Sequence, residues 1–269
     1  ERIVVVTGHQ AEQVEAAVSH HGVRFQLQPE PRGTGHALQV CRTQPGLDSG
    51  LLVVLYGDCP LLKPATLRRL VEAHQAGGAA ATVLTARLAD PRGYGRILRD
   101  ERGRIAAIVE EKDATAGQRA VDEINSGIYC FDAAALWPRL ERLTPSAATG
   151  ELYLTEVIAL LRADGLFSAP LAVDDPGEVL GINTRVELAE ADRVLRARKA
   201  QELMLAGTTI ERPETVLIDM DVEAARDTHV GPFVQLLGRT RLGVGARVGA
   251  CSILRNAEIG ENAEVLPFC

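Results

Sequence analysis

A single aspartate follows a predicted strand at a position where ligands commonly bind. Leu51–Leu55 is a continuous apolar run that predicts a hydrophobic strand, and Tyr56, Gly57 and Asp58 come directly after it. Ligands of open α/β sheets bind at the carboxyl ends of the strands, where Asp58 would lie. Mg²⁺ needs only one or two protein ligands when phosphate oxygens and water complete its shell. Asp58 is therefore a candidate metal ligand; a cap for the turn before Pro60 is the competing interpretation.

A loop rich in Pro and Gly is the second candidate, between Gln28 and Ala37. Its Gly33 and Gly35 would permit close contact with a flat ring, because glycine has no Cβ. The side chains of Gln28 and Thr34 could donate and accept hydrogen bonds at the edge of a uracil. The loop lacks the G-x-x-x-x-G-K-[ST] phosphate motif, and an ordinary strand–turn–helix connection explains it at least as well.

Short polar residues and glycines at later strand edges form a third group, in Gly93–Arg96, at Glu110 and in Asn125–Gly127. Such groups can bind sugar hydroxyls, although turn chemistry alone also accounts for Gly and Asn. Asn183 precedes a long helical pattern. A helix N-cap is the ordinary role for it, and a neutral oxygen ligand for a metal is the alternative.

Strands and helices alternate through the first two thirds of the chain. The predicted strands are Arg2–Thr7, Val23–Leu27, Leu51–Leu55, Ala80–Ala86, Gly95–Leu98, Ile105–Glu110 and Gly127–Phe131. The predicted helices are Ala11–His20, Thr34–Cys41, Pro64–Ala76, Ala133–Arg142 and Glu151–Asp164. This rhythm predicts an α/β fold with a doubly wound, mostly parallel sheet.

The last third of the chain changes its period. Asn183 or Thr184 can cap a helical arm that continues to about Ala206, and Gly207 is placed to stop it. Apolar residues then recur every six positions, with a one-residue slip, at Val230, Leu236, Leu242, Val248, Ile253, Ile259 and Val265. Six-residue spacing predicts the start of a left-handed parallel β-helix of hexapeptide repeats; a small sandwich of short strands is the alternative.

Composition excludes several classes of protein. The formal net charge of -7 argues against broad attraction to nucleic acid or to an anionic membrane. No apolar run is long enough to span a bilayer, and no signal peptide is evident. The five cysteines are scattered and never form C-x-x-C, so a zinc site or a disulfide framework is not expected. A reducing, cytoplasmic location is the prediction.

In combination, the motifs resemble one family, the bacterial N-acetylglucosamine 1-phosphate uridylyltransferase/glucosamine 1-phosphate acetyltransferases. The segments that carry the resemblance are, in order, Gln28, Gly33–Ala37, Leu55–Asp58, Gly93–Ile97, Ile108–Ala114, Glu123–Gly127, Gly150–Thr155 and Gly181–Arg185. The resemblance covers nearly the whole chain, and the ordered set is far more specific than any one motif.

The resemblance implies a nucleotide-diphospho-sugar transferase fold, Rossmann-like, and assigns roles by position. It implies uridine contacts at Gln28, Gly33 and Thr34, and further substrate contacts at Tyr56, Gly57 and Asp58. Sugar contacts are implied at Gly95, Glu110 and Asn125. The implied metal ligands are Asp58 and Asn183, and Asn183 is also an implied substrate-binding residue. The implied domains are 1–183 for nucleotidyl transfer, 184–207 for a linker helix and 208–269 for the start of the β-helix.

The implied reaction is Mg²⁺-dependent uridylyl transfer from UTP to N-acetylglucosamine 1-phosphate, which gives UDP-N-acetylglucosamine and pyrophosphate. Acetylation from acetyl-CoA and a homotrimer formed through the β-helix are implied for the parent protein. Two other functions stay open: another sugar 1-phosphate nucleotidyltransferase, and a non-catalytic trimeric scaffold that binds sugar nucleotides.

One departure from the family pattern concerns the ends of the chain. The family opens with a strand, a Gly-rich loop and a Pro-Lys pair that bind the triphosphate, and none of these is in the sequence. The acetyltransferase residues would lie beyond Cys269. We therefore expect a fragment, truncated at both ends, whose activity is impaired or absent.

Overall fold

The structure, a computed structural model, describes residues 2–269. The chain divides after Leu180 into two units, the second of which is Gly181–Cys269. No helix in residues 2–269 combines the length and the apolar character needed to cross a membrane.

The first unit alternates strands and helices as the sequence predicts. Its strands are β1 (Val4–Thr7), β2 (Arg24–Leu27), β3 (Leu51–Val54), β4 (Ala81–Arg87), β5 (Arg96–Arg99), β6 (Ile105–Val109), β7 (Glu123–Asp132) and β8 (Ser168–Ala172). Its α-helices are α1 (Ala11–Val18), α2 (Thr34–Gln39), α3 (Pro64–Gly77), α4 (Ala116–Arg119), α5 (Ala133–Leu140) and α6 (Glu156–Ala163). Short 3₁₀ turns occur at Ser19–His21, Val40–Thr43 and Pro176–Val179. The α/β class is therefore confirmed.

The direction of strand pairing differs from the prediction. β1 and β2 form a parallel pair, while the other strands form one sheet in the order β3-β7-β4-β8-β6-β5, with β7 also pairing with β5. In that six-stranded sheet β3, β4, β5 and β8 run in one direction and β6 and β7 in the other, so β4 and β8 are the only neighbouring strands that pair in parallel. The mostly parallel sheet is thus found in strand direction but not in strand pairing, because β5 and β6 join through a tight turn at Asp100–Arg104 and the long strand β7 runs against both β3 and β4.

The core of this unit is built on β4 and β7. Both strands are buried along nearly their whole length, with Tyr129 and Phe131 of β7 inaccessible to solvent. Apolar residues of α5 and α6, among them Leu136 and Ile158, pack on one face. The rigid centre of the sheet thus supports the strand ends that carry the candidate site.

The helix predicted over Glu151–Asp164 begins only at Glu156. The preceding backbone is occupied elsewhere: Leu152 N donates to Arg32 O at 2.8 Å, and Gly35 N donates to Leu152 O at 2.8 Å. These bonds prevent a first helical turn and fasten the segment to the Pro/Gly loop.

The second unit opens with a long helix, α7 (Arg185–Leu205). Thr184 caps it by a capping box with Glu187, which is one of the two caps that the sequence predicts. Gly207 follows with φ of +103°, a conformation that suits a helix stop because glycine lacks a Cβ.

Ten short strands and a 3₁₀ turn, Pro213–Thr215, follow. The strands are β9 (Thr209–Ile210), β10 (Leu217–Ile218), β11 (Glu223–Ala224), β12 (His229–Val230), β13 (Gln235–Leu237), β14 (Arg241–Leu242), β15 (Arg247–Val248), β16 (Ile253–Arg255), β17 (Glu258–Ile259) and β18 (Glu264–Val265). They form three parallel ladders: β10-β13-β16, β11-β14-β17 and β9-β12-β15-β18. The periodic residues Val230, Leu236, Leu242 and Val248 are buried between the ladders.

Candidate functional site

A bulge in β7 shapes the centre of the site. Over Ser126–Ile128, three residues of β7 stand opposite the single residue Leu84 of β4. Gly127 lies at the middle of the bulge with φ of +77°, a left-handed conformation that residues with a Cβ rarely adopt. Bulges bend a strand and redirect its side chains. Asn125 and Tyr129 flank this one.

The three predicted sugar-binding residues lie close together beside the bulge. Asn125 N donates to Gly95 O at 2.8 Å, and a Cβ on Gly95 would lie 3.4 Å from Glu110 Oε2 and 3.6 Å from Asn125 Cβ. Thr155 Oγ donates to Glu110 Oε1 at 2.9 Å. Gly95, Glu110 and Asn125 thus come from three different strand ends into one cluster, which Thr155 completes.

The ring of Tyr56 closes the next side. A Cβ on Gly127 would lie 2.6 Å from both Cδ2 and Cζ of Tyr56, which is far closer than atoms can approach. The ring therefore packs directly on the glycine backbone. Burial raises the pKa of Tyr56 to about 12, and a hydrogen bond with Thr34 offsets part of this rise. Tyr56 links the predicted uridine side of the site to the predicted sugar side.

The Pro/Gly loop is held against the segment before α6. Gly33 has φ of +102°, and a Cβ there would lie 2.5 Å from Leu152 O. Thr34 Oγ accepts from Leu154 N at 3.0 Å, and Gln28 Nε2 donates to Gly33 O at 3.1 Å. Gly33 is thus required by close packing of two backbones, and Thr34 and Gln28 both support the loop.

Asp58 is exposed at the end of the turn that follows β3. The thiol of Cys59 contacts its side chain, with Sγ donating to Oδ1 at 3.6 Å. Gly57 is exposed too, and a Cβ on it would meet nothing within 4 Å. Asp58 is therefore accessible to a ligand.

A buried carboxylate holds the helix that follows this turn. Glu178 accepts hydrogen bonds from Thr66 Oγ at 2.5 Å, from Lys63 N at 3.2 Å and from Lys63 Nζ at 2.9 Å. These groups lie at the first turn of α3, whose free N–H groups favour a negative charge. The thiol of Cys59 also donates to Val179 O at 3.7 Å. The turn is thereby fastened on its α3 side.

The electrostatics of the site are acidic. Burial raises the pKa of Glu110, although the hydrogen bond from Thr155 lowers it in part. Neither Glu110 nor Asp58 forms an ion pair with any residue in the described part of the chain. An anionic ligand would need cations from another source, since the site presents two carboxylates.

A divalent cation fits the donors that the site offers. Asp58 presents a carboxylate that has no cationic partner within residues 2–269, and hard cations prefer oxygen ligands. Within residues 2–269, no group of three or more His, Cys, Asp or Glu side chains could form an all-protein metal site. A cation at Asp58 would thus depend on phosphate or water oxygens as well. Asn183, the other predicted ligand, lies in the second unit, where its backbone N donates to Glu187 at 2.7 Å.

Sequence patterns missed two residues that complete the site. Thr155 lies in a segment that periodicity assigned to a helix, and Tyr129 reads as an ordinary core residue of a strand. Tyr129 accepts a hydrogen bond from Asn125 Nδ2 at 2.7 Å. Only the contact between distant segments reveals the role of Thr155, and only the bulge reveals that of Tyr129.

Comparison with known proteins identifies related chains. A family model described as Nucleotidyl transferase matches residues 1–170. A relative named Bifunctional protein GlmU, from Solibacter usitatus (strain Ellin6076), is 46% identical over 262 residues, which cover 97% of this chain and 56% of that protein. The protein of the same name from Kineococcus radiotolerans is 49% identical over 268 residues, covering 98% of this chain and 54% of the relative.

A solved structure shares the fold. A putative glucose-1-phosphate thymidylyltransferase from Bacillus anthracis, in complex with a sucrose, superimposes with a TM-score of 0.55 at 25% identity, covering 71% of this chain and 75% of that chain. The names of the curated relatives confirm the resemblance predicted from the motifs. The chain spans about half the length of those relatives.

Proposed function

The chain belongs to the nucleotidyl transferase family, and on that premise we propose that its first unit binds the substrates of uridylyl transfer to N-acetylglucosamine 1-phosphate. One observation supports this most strongly. Thr34, Tyr56, Gly95, Glu110 and Asn125, which lie far apart in the sequence, form one connected set of contacts around Gly127, and the exposed Asp58 follows Tyr56 by two residues.

The proposed roles follow from the contacts. Gln28, Gly33 and Thr34 present the loop that would bind uridine, while the Tyr56 ring separates that loop from the sugar cluster. Glu110 is held by Thr155 and would accept hydrogen bonds from sugar hydroxyls.

In the proposed reaction, a phosphate oxygen of N-acetylglucosamine 1-phosphate attacks the α-phosphorus of UTP. The new P–O bond forms as the bond to the β-phosphate breaks, and pyrophosphate leaves with its electron pair. An ionised phosphate requires no general base, so the protein contributes mainly by aligning the reactants. Mg²⁺, when bound, would neutralise charge on the reacting phosphates. Asp58 would hold it.

We assign the complete reaction to a longer protein that carries this chain. In that protein, Asp58→Asn should reduce turnover at least about 100-fold, because it removes a charge that positions the reacting phosphates. Pyrophosphate release is the assay, and Asp48→Asn, which alters an exposed aspartate paired with Arg42, is the control. Normal pyrophosphate release by Asp58→Asn would refute the metal assignment.

The nucleotide and the sugar require a separate test, since the structural relative is named a putative glucose-1-phosphate thymidylyltransferase. The panel pairs UTP or dTTP with N-acetylglucosamine 1-phosphate or glucose 1-phosphate. The proposal expects the highest kcat/KM for UTP with the N-acetyl sugar. A higher value for dTTP or for glucose 1-phosphate would reassign the substrate. Binding of UDP-N-acetylglucosamine without any turnover would instead favour a non-catalytic scaffold.

We further propose that the three ladders of the second unit are the first coils of a left-handed parallel β-helix through which the protein forms a homotrimer. Acetylation from acetyl-CoA would then belong to later coils. The register supports this: Leu217 pairs with Gln235 and Glu223 with Arg241, so these two circuits each take three six-residue steps. Sedimentation of the longer protein as a monomer would contradict the trimer.

A further inference from the structure

The Asn125 side chain is fixed by two hydrogen bonds within β7. Its Oδ1 accepts from Gly127 N at 3.2 Å, and its Nδ2 donates to the hydroxyl of Tyr129 at 2.7 Å. A backbone N–H can only donate, so Gly127 requires the amide oxygen on its side. The amide nitrogen must therefore face Tyr129.

The bulge makes the second bond possible. In a regular strand, residues four apart are separated by about 13 Å along the strand. The extra residues at Ser126–Ile128 bend β7 and bring the Asn125 amide within reach of the Tyr129 hydroxyl.

Tyr129 is otherwise a core residue. It has no exposed surface, and its ring stacks on Phe131 with centroids 5.3 Å apart. A buried hydroxyl is costly unless it forms a hydrogen bond. A phenylalanine would fill the same space, so core packing does not account for the hydroxyl. Its bond to Asn125 does.

We propose that Tyr129 is a positioning residue for sugar recognition. Its hydroxyl engages one N–H of Asn125 and fixes the amide, so that the second N–H is presented to the ligand. The group recognised is then a hydrogen-bond acceptor on the sugar, and the carbonyl of an acetamido substituent fits this requirement. This inference rests on the proposed function and specifies how that site selects an N-acetylated sugar.

The test compares Tyr129→Phe with Tyr153→Phe, a matched control that removes a hydroxyl bonded to Thr149 instead. Calorimetric titration of the chain with UDP-N-acetylglucosamine and with UDP-glucose gives a ratio of dissociation constants for each variant. Tyr129→Phe should reduce the preference for the N-acetyl sugar about threefold to tenfold, the worth of one hydrogen bond. Tyr153→Phe should keep the wild-type ratio, and a general loss of folding would weaken both ligands alike.

A second measurement needs no ligand. Hydrogen exchange of the Asn125 side-chain amide, followed by NMR, should accelerate at least about tenfold in Tyr129→Phe, since loss of one bond frees the group. An unchanged sugar ratio together with unchanged exchange would overturn the inference. If the wild-type chain showed no preference for the N-acetyl sugar, the proposed substrate would fail, and the exchange rates alone would decide whether Tyr129 positions Asn125.

Discussion

Gly127 offers the sharpest test of how the site is built. Substitution by alanine has two separate costs there, because the residue has a positive φ and because the ring of Tyr56 occupies the place of its Cβ. Substitutions at two other glycines allow these two costs to be measured separately. Gly103 has φ of +75° with open space around it, and Gly117 lies in α4 with neither constraint.

The magnitudes follow from these environments. A left-handed backbone costs a residue with a Cβ about 1–2 kcal/mol, and forcing atoms into a packed site costs about 1–3 kcal/mol. We therefore expect Gly127→Ala to lower the free energy of unfolding by about 2–5 kcal/mol. Gly103→Ala should lower it by about 1–2 kcal/mol. Gly117→Ala should be neutral or stabilising by up to about 1 kcal/mol, as in other helices.

Urea unfolding followed by the fluorescence of Trp137 measures all three variants. This is the only tryptophan of the chain, and it is buried in α5 of the same unit. The change that alanine makes in the unfolded chain is common to the three variants and cancels in their comparison. Equal unfolding midpoints for Gly127→Ala and Gly103→Ala would refute the contact between Tyr56 and Gly127.

Three further predictions concern single side chains. Burial raises the pKa of Glu178, but the bonds from Thr66 and Lys63 outweigh it and hold the pKa below its usual value. Such a group stabilises above its unfolded pKa and loses that effect as the pH falls. Glu178→Gln should thus cost about 1–3 kcal/mol at pH 7 and less below about pH 4, by urea titration. Burial raises the pKa of Glu110, so its stabilising effect is lost as the pH rises, and at pH 7 the charged carboxylate is unfavourable in the folded state. Glu110→Gln should therefore raise the Tm at pH 7 by about 2–4 °C in calorimetry while weakening UDP-N-acetylglucosamine binding. Thr184→Ala removes a helix cap and should lower the stability of the second unit by about 1 kcal/mol, measured by circular dichroism.

Local sequence signals predicted much of the fold. The cap at Thr184 and the stop at Gly207 each have a local cause, namely a side-chain oxygen and a missing Cβ. The apolar run at Leu51–Leu55 also forms a strand, although Leu51, Val53 and Leu55 are exposed. The six-residue spacing likewise matches the buried residues from Val230 to Val248, but Ile253 is exposed and Leu254 packs against the core in its place. Such signals are readable because each depends on only a few neighbouring residues.

The same local signals did not predict how the strands pair or which distant segments are in contact. The residue pattern of β7 is compatible with a parallel and with an antiparallel sheet, because side chains alternate between the two faces in both. The segment before Glu156 has a helical composition, but its backbone bonds to Arg32 and Gly35 instead. Those partners lie more than a hundred residues away in sequence, beyond the reach of any periodic pattern.

The sequence by itself determined which residues are candidates to contact a ligand, because the motifs around Tyr56, Gly95 and Asn125 can be recognised from their residue types and order. Only the tertiary structure decided how they meet. The bulge at Gly127, and the amide of Asn125 turned toward Tyr129, arise from one strand packing against several others. Geometry of that kind depends on contacts between distant segments, and a linear pattern does not encode them.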